Sequence, residues 1–109
     1  MADPSQTVGH EQSGLRPHLV LSVSRMNRSP LELVIALPLT TTDASNLLHV
    51  RIDPQPETGL TRVSYAMPEM VRSISGRRLG RPVGRVQREL VERAARHVGV
   101  LLGLGRTKF

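Results

Sequence analysis

No cysteine occurs among the 109 residues. That excludes a disulfide framework and any thiolate metal site, and it fits a reducing compartment, so a cytoplasmic location is the expectation. Tryptophan is also missing, and Tyr65 and Phe109 are the whole aromatic complement. Modules that stack several bases on a row of exposed rings are thereby disfavoured. Lysine occurs once, at Lys108. The longest apolar runs, "LVLSV" and "LELVIALPL", fall far short of the roughly 20 residues that a membrane-spanning helix needs. The opening "MADPSQ" has neither a basic nor an apolar region of the kind a secretion signal requires. No glycine-rich phosphate fingerprint, zinc-ligand spacing or Ser-His-Asp pattern is present.

What the chain does have is positive charge, placed unevenly. The net charge is +6, and between Arg72 and Arg88 there are six arginines and no acid. Such a stripe attracts polyanions, RNA or DNA first among them. An arginine-rich codon usage would raise the same count without any partner. The length suits one domain with a core of modest stability, because a small chain buries a smaller share of its surface.

Hydrophobic spacing predicts short strands and then a helix. "HLVLSVS" (His18–Ser24) reads as a strand. "LELVIALPL" (Leu31–Leu39) reads as a second strand with both faces covered, since its apolar run is nearly continuous. Pro38 is expected at its end or at a bulge. "LLHVRID" alternates, with Leu48, Val50 and Ile52 inward and His49, Arg51 and Asp53 outward. A fourth strand covers "RVSYAMPEMVRSI" with a bend at Pro68, and a short fifth lies near Pro82–Val86. Residues 1–14 are polar and are expected to be flexible. Apolar residues from Leu90 to Leu102 then recur at helical spacing, which predicts an amphipathic helix over Arg88–Leu102, with Glu89–Arg93 and Glu92–Arg96 as i,i+4 pairs and Gly103 as its stop. The expected class is α+β, mainly β: a small barrel with a terminal helix.

Two constellations could carry chemistry. A pair among His10, His18, His49 and His97 could cleave RNA by acid–base catalysis, but nothing in the spacing makes any two converge. Glu11, Arg16 and Thr40 are the better set. Cutting RNA through its own 2′-OH requires loss of the hydroxyl proton, stabilisation of charge on phosphorus, and protonation of the 5′-oxygen. Arginine offers a planar fork suited to phosphate, threonine a neutral donor, and a carboxylate a proton acceptor or a brace for the arginine. Read without function, Glu11 is a solvated loop charge, Arg16 an ion-pair partner, and "TTT" a run of turn formers.

From about Gly9 to Leu104 the chain resembles the MazF/PemK family of toxin–antitoxin ribonucleases. The resemblance is carried, in order, by "GHEQSGLRPHLVLS", "RMNRS", "ALPLTTT", "HVRI", "GLTRVSYAMPEMVRSIS", "RRLGRPVGRV" and "LLGL". It implies a small SH3-like (CcdB/PemK-like) barrel that works as a homodimer, and a type II toxin that cuts single-stranded mRNA sequence-specifically, without metal or other cofactor. Carried over residue by residue, it makes Arg16 and Thr40 the catalytic pair with Glu11 beside them. It assigns the RNA path to Arg25, Asn27 and Arg28 and to the segment with Ser73, Arg77 and Arg78. It also implies a MazE-like antitoxin whose acidic flexible tail covers the basic groove, with operator DNA reached through that complex, and no membrane.

Two departures stand out. Family members begin with a strand of the type "GDVWLVDLDP", of which only Asp3 and Pro4 remain, so the opening strand is expected to be missing, through a late start or a shortened chain. Gln87 takes the place of a serine or threonine helix cap. Two other readings stay open at this point: a non-enzymatic binder on the same fold, like the gyrase-poisoning toxins, and an inactive remnant that still binds antitoxin. The expected domain runs over residues 15–105.

Overall fold

A computed structural model describes residues 5–10, 16–23 and 32–104. Its strands are β1 (Ser5–His10), β2 (Pro17–Val20), β3 (Leu33–Thr40), β4 (Val50–Ile52), β5 (Ser64–Ala66), β6 (Arg72–Ser75) and β7 (Pro82–Gln87). Two helices follow late strands: a single turn, α1 (Gly76–Leu79), and the long α2 (Arg88–Leu101). The strands form one sheet in the order β4-β5-β3-β2-β1-β7, with β6 also paired to β3.

β3 organises the sheet. One edge pairs with β2, in the register His18↔Pro38, Leu19↔Leu37 and Val20↔Ala36. The other edge is shared: Leu33 to Ala36 pair with β6, and Leu39 and Thr40 pair with β5. Pro38 sits at the handover between those two partners, where its missing N–H disrupts no ladder bond. Its carbonyl still accepts from the Met67 N–H at 3.1 Å.

The continuous apolar run of β3 has the expected cause. Leu37 and Leu39 join the main core with Leu19, Val50, Ile52, Ala66 and Val86, capped by Val91 and Ala94 of α2. Val34 and Ala36 point the other way, into a smaller cluster with Val20, Ile74 and Leu79. Burying each of the larger side chains contributes about 1.5–3 kcal/mol.

The helix begins at Gln87 with no side-chain cap. Glu92 turns back to Arg88 at 3.2 Å rather than forward to Arg96, the less favoured order for such a pair. It ends in a Schellman arrangement: Gly103 at φ +76° donates its N–H to Val100, and Leu104 donates to Gly99.

Three expectations are corrected. Ser5–His10, read as part of a flexible segment in a chain lacking its opening strand, is a strand that pairs antiparallel with both β2 and β7. One partner, β2, follows in the next hairpin and the other, β7, is remote in sequence; the backbone groups of both are what the segment satisfies. The predicted fourth strand is two strands, β5 and β6, separated by a 3₁₀ turn at Pro68–Met70. His49, placed outward by alternation, has a side chain only 6 % exposed, because that turn brings Glu69 Oε2 to 2.8 Å from its Nε2.

The connection before β5 lies tightly on β7. Arg85 donates its N–H to the Glu57 carbonyl at 2.6 Å. Gly84 faces the Thr58 carbonyl so closely that a Cβ would overlap it.

Candidate active site

Arg16 stands just before β2, and Thr40 ends β3. Carried two residues beyond its last pair, His18↔Pro38, the β2–β3 register sets Arg16 across from Thr40. Directly opposed residues of an antiparallel pair share a face. Here that face is the one opposite the main core, because Leu19, Leu37 and Leu39 occupy the alternate positions. Arg16 is exposed and Thr40 half-buried. Two polar groups far apart in sequence thus share the open end of one ladder.

Local hydrogen bonds hold each in place. The buried His18 donates from Nδ1 to the Arg16 carbonyl at 2.9 Å, which pins the backbone at the arginine. The Thr40 hydroxyl accepts from the Thr42 N–H at 3.2 Å. With an acceptor role filled by its own turn, the hydroxyl keeps its hydrogen to donate. A guanidinium fork and a hydroxyl donor on one face suit the oxygens of a phosphate.

The row does not end at Thr40. On its other side Thr40 pairs with Tyr65, and Tyr65 pairs with Arg51. Arg16, Thr40, Tyr65 and Arg51 therefore form one line across four strands on one face. Arg51 donates from Nε to Asp53 Oδ1 at 2.9 Å. That hydrogen bond and charge raise the pKa of Arg51, with smaller contributions from Tyr65 and Asp43.

The other expected residues are spread out. Glu11, Arg25, Asn27 and Arg28 lie outside the described residues. Ser73 pairs with Ile35, on the face of Leu37 and Leu39, and is about 17 Å from Thr40 along β3 at roughly 3.3 Å per residue. Arg77 and Arg78 are exposed on α1, past the far end of that pairing. Arg77 is paired with Glu32 at 3.1 Å on the surface. The β2–β3 register, continued past its last pair, sets the Arg16 and Thr40 positions opposite each other; Ser73, Arg77 and Arg78 lie away from them.

A cavity of about 810 Å³ opens between β4, β7 and the start of α2. Asp53, Glu57 and Glu89 outnumber Arg51 and Arg85 on its wall, a poor balance for a polyanion. Among the described residues no three His, Cys, Asp or Glu side chains group as metal ligands, and no helix is long and apolar enough to cross a membrane.

Tyr65 and Arg51 were not singled out from the sequence. The outward positions of "HVRI" and "VSYAM" were the available signal, but the register that aligns them with Thr40 is non-local.

Residues 1–102 match the family described as PemK-like, MazF-like toxin of type II toxin–antitoxin systems. Endoribonuclease EndoA of Bacillus subtilis (strain 168) is 33 % identical over 104 residues, covering 94 % of this chain and 89 % of its own length. A probable endoribonuclease MazF of Mycolicibacterium smegmatis is 34 % identical over 89 residues, covering 82 % of this chain and 81 % of its own. Among solved structures, the Mycobacterium tuberculosis toxin MazF-mt6 superimposes with a TM-score of 0.77 at 25 % identity, covering 92 % of this chain and 99 % of the other. The fold also matches a MazE–MazF crystal structure from Deinococcus radiodurans, with a TM-score of 0.76 at 21 % identity over 96 % of this chain and 100 % of that one.

Proposed function

Because the chain belongs to the family of PemK-like, MazF-like toxins of type II toxin–antitoxin systems, we propose that it is an endoribonuclease that cuts single-stranded RNA at a phosphate held between Arg16 and Thr40. The observation that supports this reading is the β2–β3 register, which, continued two residues past His18↔Pro38, runs Arg16 opposite Thr40 on the face opposite the main core.

The substrate supplies its own nucleophile. The 2′-oxygen attacks the adjacent phosphorus, its proton leaves to a base, and the bond from phosphorus to the 5′-oxygen breaks as that oxygen takes up a proton. The products are a 2′,3′-cyclic phosphate and a 5′-hydroxyl. Extra negative charge collects on the non-bridging oxygens in between. The Arg16 fork and the Thr40 hydrogen are aimed at that charge, and donors fixed beforehand need no reorganisation at the moment of reaction. Glu11 is assigned to the 2′ proton or to bracing Arg16. No metal enters the scheme. Single-stranded substrate is required because the sugar must swing until the 2′-oxygen lies in line with the leaving group.

A longer RNA is assigned to Arg25, Asn27 and Arg28 and to the exposed Arg77 and Arg78 of α1. Ser73, turned to the opposite face, is given no contact on this chain. Relatives have been solved as MazE–MazF complexes. The same kind of partner is proposed here: an antitoxin whose acidic flexible tail lies along the arginines from Arg72 to Arg88, ordering as it binds. A homodimer, a cytoplasmic setting and operator contact through the antitoxin complex belong to the same reading.

The test is incubation of the purified protein with a structure-poor transcript in EDTA. Fragments with 5′-hydroxyl ends are expected, and Arg16→Ala should remove them while leaving the circular dichroism spectrum unchanged. An intact transcript, or full cutting by Arg16→Ala, would overturn the assignment; the first result would favour a non-enzymatic binder.

A further inference from the structure

The line that begins with Arg16 and Thr40 continues through Tyr65 to Arg51. Each step across a sheet is about 4.8 Å, so Arg51 lies about 14 Å from the Arg16 strand, a span longer than one phosphate. The burial patterns agree with the register. Ser64 and Ala66 are buried on either side of a half-buried Tyr65, and Val50 and Ile52 on either side of an exposed Arg51. Tyr65 and Arg51 are direct cross-strand partners, so their side chains leave the sheet as neighbours on one face. Asp53 occupies Arg51 Nε and leaves the two terminal nitrogens to donate.

Resting on the ribonuclease reading, we propose that Tyr65 and Arg51 form a nucleotide subsite adjoining the scissile phosphate. The Tyr65 ring stacks on the base of the neighbouring nucleotide, and the outer edge of Arg51 takes that nucleotide's own phosphate. The ligand class is a single-stranded ribonucleotide held by one stacked base and two successive phosphates. Stacking tolerates any base, because every base has a π-face. The subsite therefore sets how firmly the RNA is held and leaves the choice of sequence to other groups. Arg51 borders the acid-rich cavity beside β4, so Asp53, Glu57 and Glu89, with Asp43, limit its electrostatic pull and the ring carries the larger share.

The composition supplies a direct reporter. Tyr65 is the sole tyrosine and there is no tryptophan, so protein emission comes from this ring, and a stacked base quenches it. The titrant is a randomised 2′-fluoro RNA pool, which cannot undergo 2′-OH attack, with one labelled aliquot for anisotropy. Saturable quenching is expected, corrected for absorption by the RNA, with the same midpoint as the anisotropy. Tyr65→Phe should bind as the wild type does. Tyr65→Leu should fill the same space without a π-face and bind about tenfold more weakly, in line with the loss of one stacked base. Arg51→Ala should weaken binding by a smaller factor.

RNA that binds with emission unchanged, or with equal affinity for Tyr65→Leu, overturns the subsite. An RNA that does not bind at all overturns it too. Cleavage of the native transcript is read separately. Cutting without quenching removes the subsite and leaves the ribonuclease standing. Quenching without cutting supports the stacking subsite and removes the nuclease.

Discussion

The hydroxyl of Thr40 is the most discriminating place to test the site, because its two hydrogen-bonding roles can be separated in size. In the free protein it accepts one N–H, from Thr42, at 3.2 Å on an exposed turn. Replacing Thr40 with valine keeps the β-branched shape and the half-buried methyl but removes the oxygen. The turn amide is exposed and can turn to water, so the loss should cost about 0.5 kcal/mol of stability. For a chain of this size that lowers Tm by about 2–4 °C. The catalytic cost is of another order. A preorganised donor to developing charge contributes about 3 kcal/mol, so kcat should fall about 100- to 1,000-fold. Thr40→Ser keeps both roles and should remain within about tenfold of the wild type. The assay is single-turnover cleavage of an end-labelled RNA, run beside a thermal melt of each variant. If Thr40 and Arg16 hold the same phosphate, the double change Thr40→Val with Arg16→Ala should cost much less than the product of the single losses. Thr40→Val cutting at the wild-type rate would refute the assignment of the donor. A rate loss that tracked a collapse in Tm would refute the claim that the role is chemical.

Two further outcomes test the scaffold. Gly84→Ala drives a Cβ into the Thr58 carbonyl, a backbone group with nowhere to move; it should cost about 3 kcal/mol and lower Tm on the order of 10 °C by calorimetry, and a melt within about 2 °C of the wild type would contradict the close approach. His97 donates from Nδ1 to the Leu48 carbonyl at 2.7 Å and ties α2 to the connection before β4; His97→Ala should cost about 1–2 kcal/mol and speed amide exchange around Leu48–Val50, and unchanged exchange there would show that the tie is idle.

What could be read from the chain alone followed from how local each signal was. α2 was legible because its apolar residues repeat at helical spacing and Gly103 follows them. β3 was legible as doubly covered because its apolar run leaves no polar face. β1 was not, since Ser5–His10 carries little apolar signal and is a strand only through ladders to β2 and β7. His49 looked outward by alternation and was covered by a turn that lies 19 to 21 residues later in the chain, at Pro68–Met70. Arg16 and Thr40 came from chemistry and resemblance, and the ladder that joins them spans β2 to β3. The line from Thr40 to Tyr65 and Arg51 was illegible for the same reason that β1 was: it depends on which strands pair, and in what register.

That register ties the candidate site to the core. Leu19 and Leu37 are directly opposed and fully buried. A slip of one residue between β2 and β3 would keep one of the two inward while setting it against a residue whose side chain belongs on the other face. It would also move Arg16 from opposite Thr40 to opposite Leu39 or Thr41, and so separate fork from hydroxyl across the sheet. Burial of each leucine contributes about 1.5–3 kcal/mol, and a slipped ladder forfeits much of it. The energy that holds fork and hydroxyl on one face therefore comes mainly from apolar side chains on the opposite face. On this argument a core change such as Leu37→Ala, costing about 2–5 kcal/mol, would loosen the geometry at Thr40 although Leu37 touches no part of the RNA path.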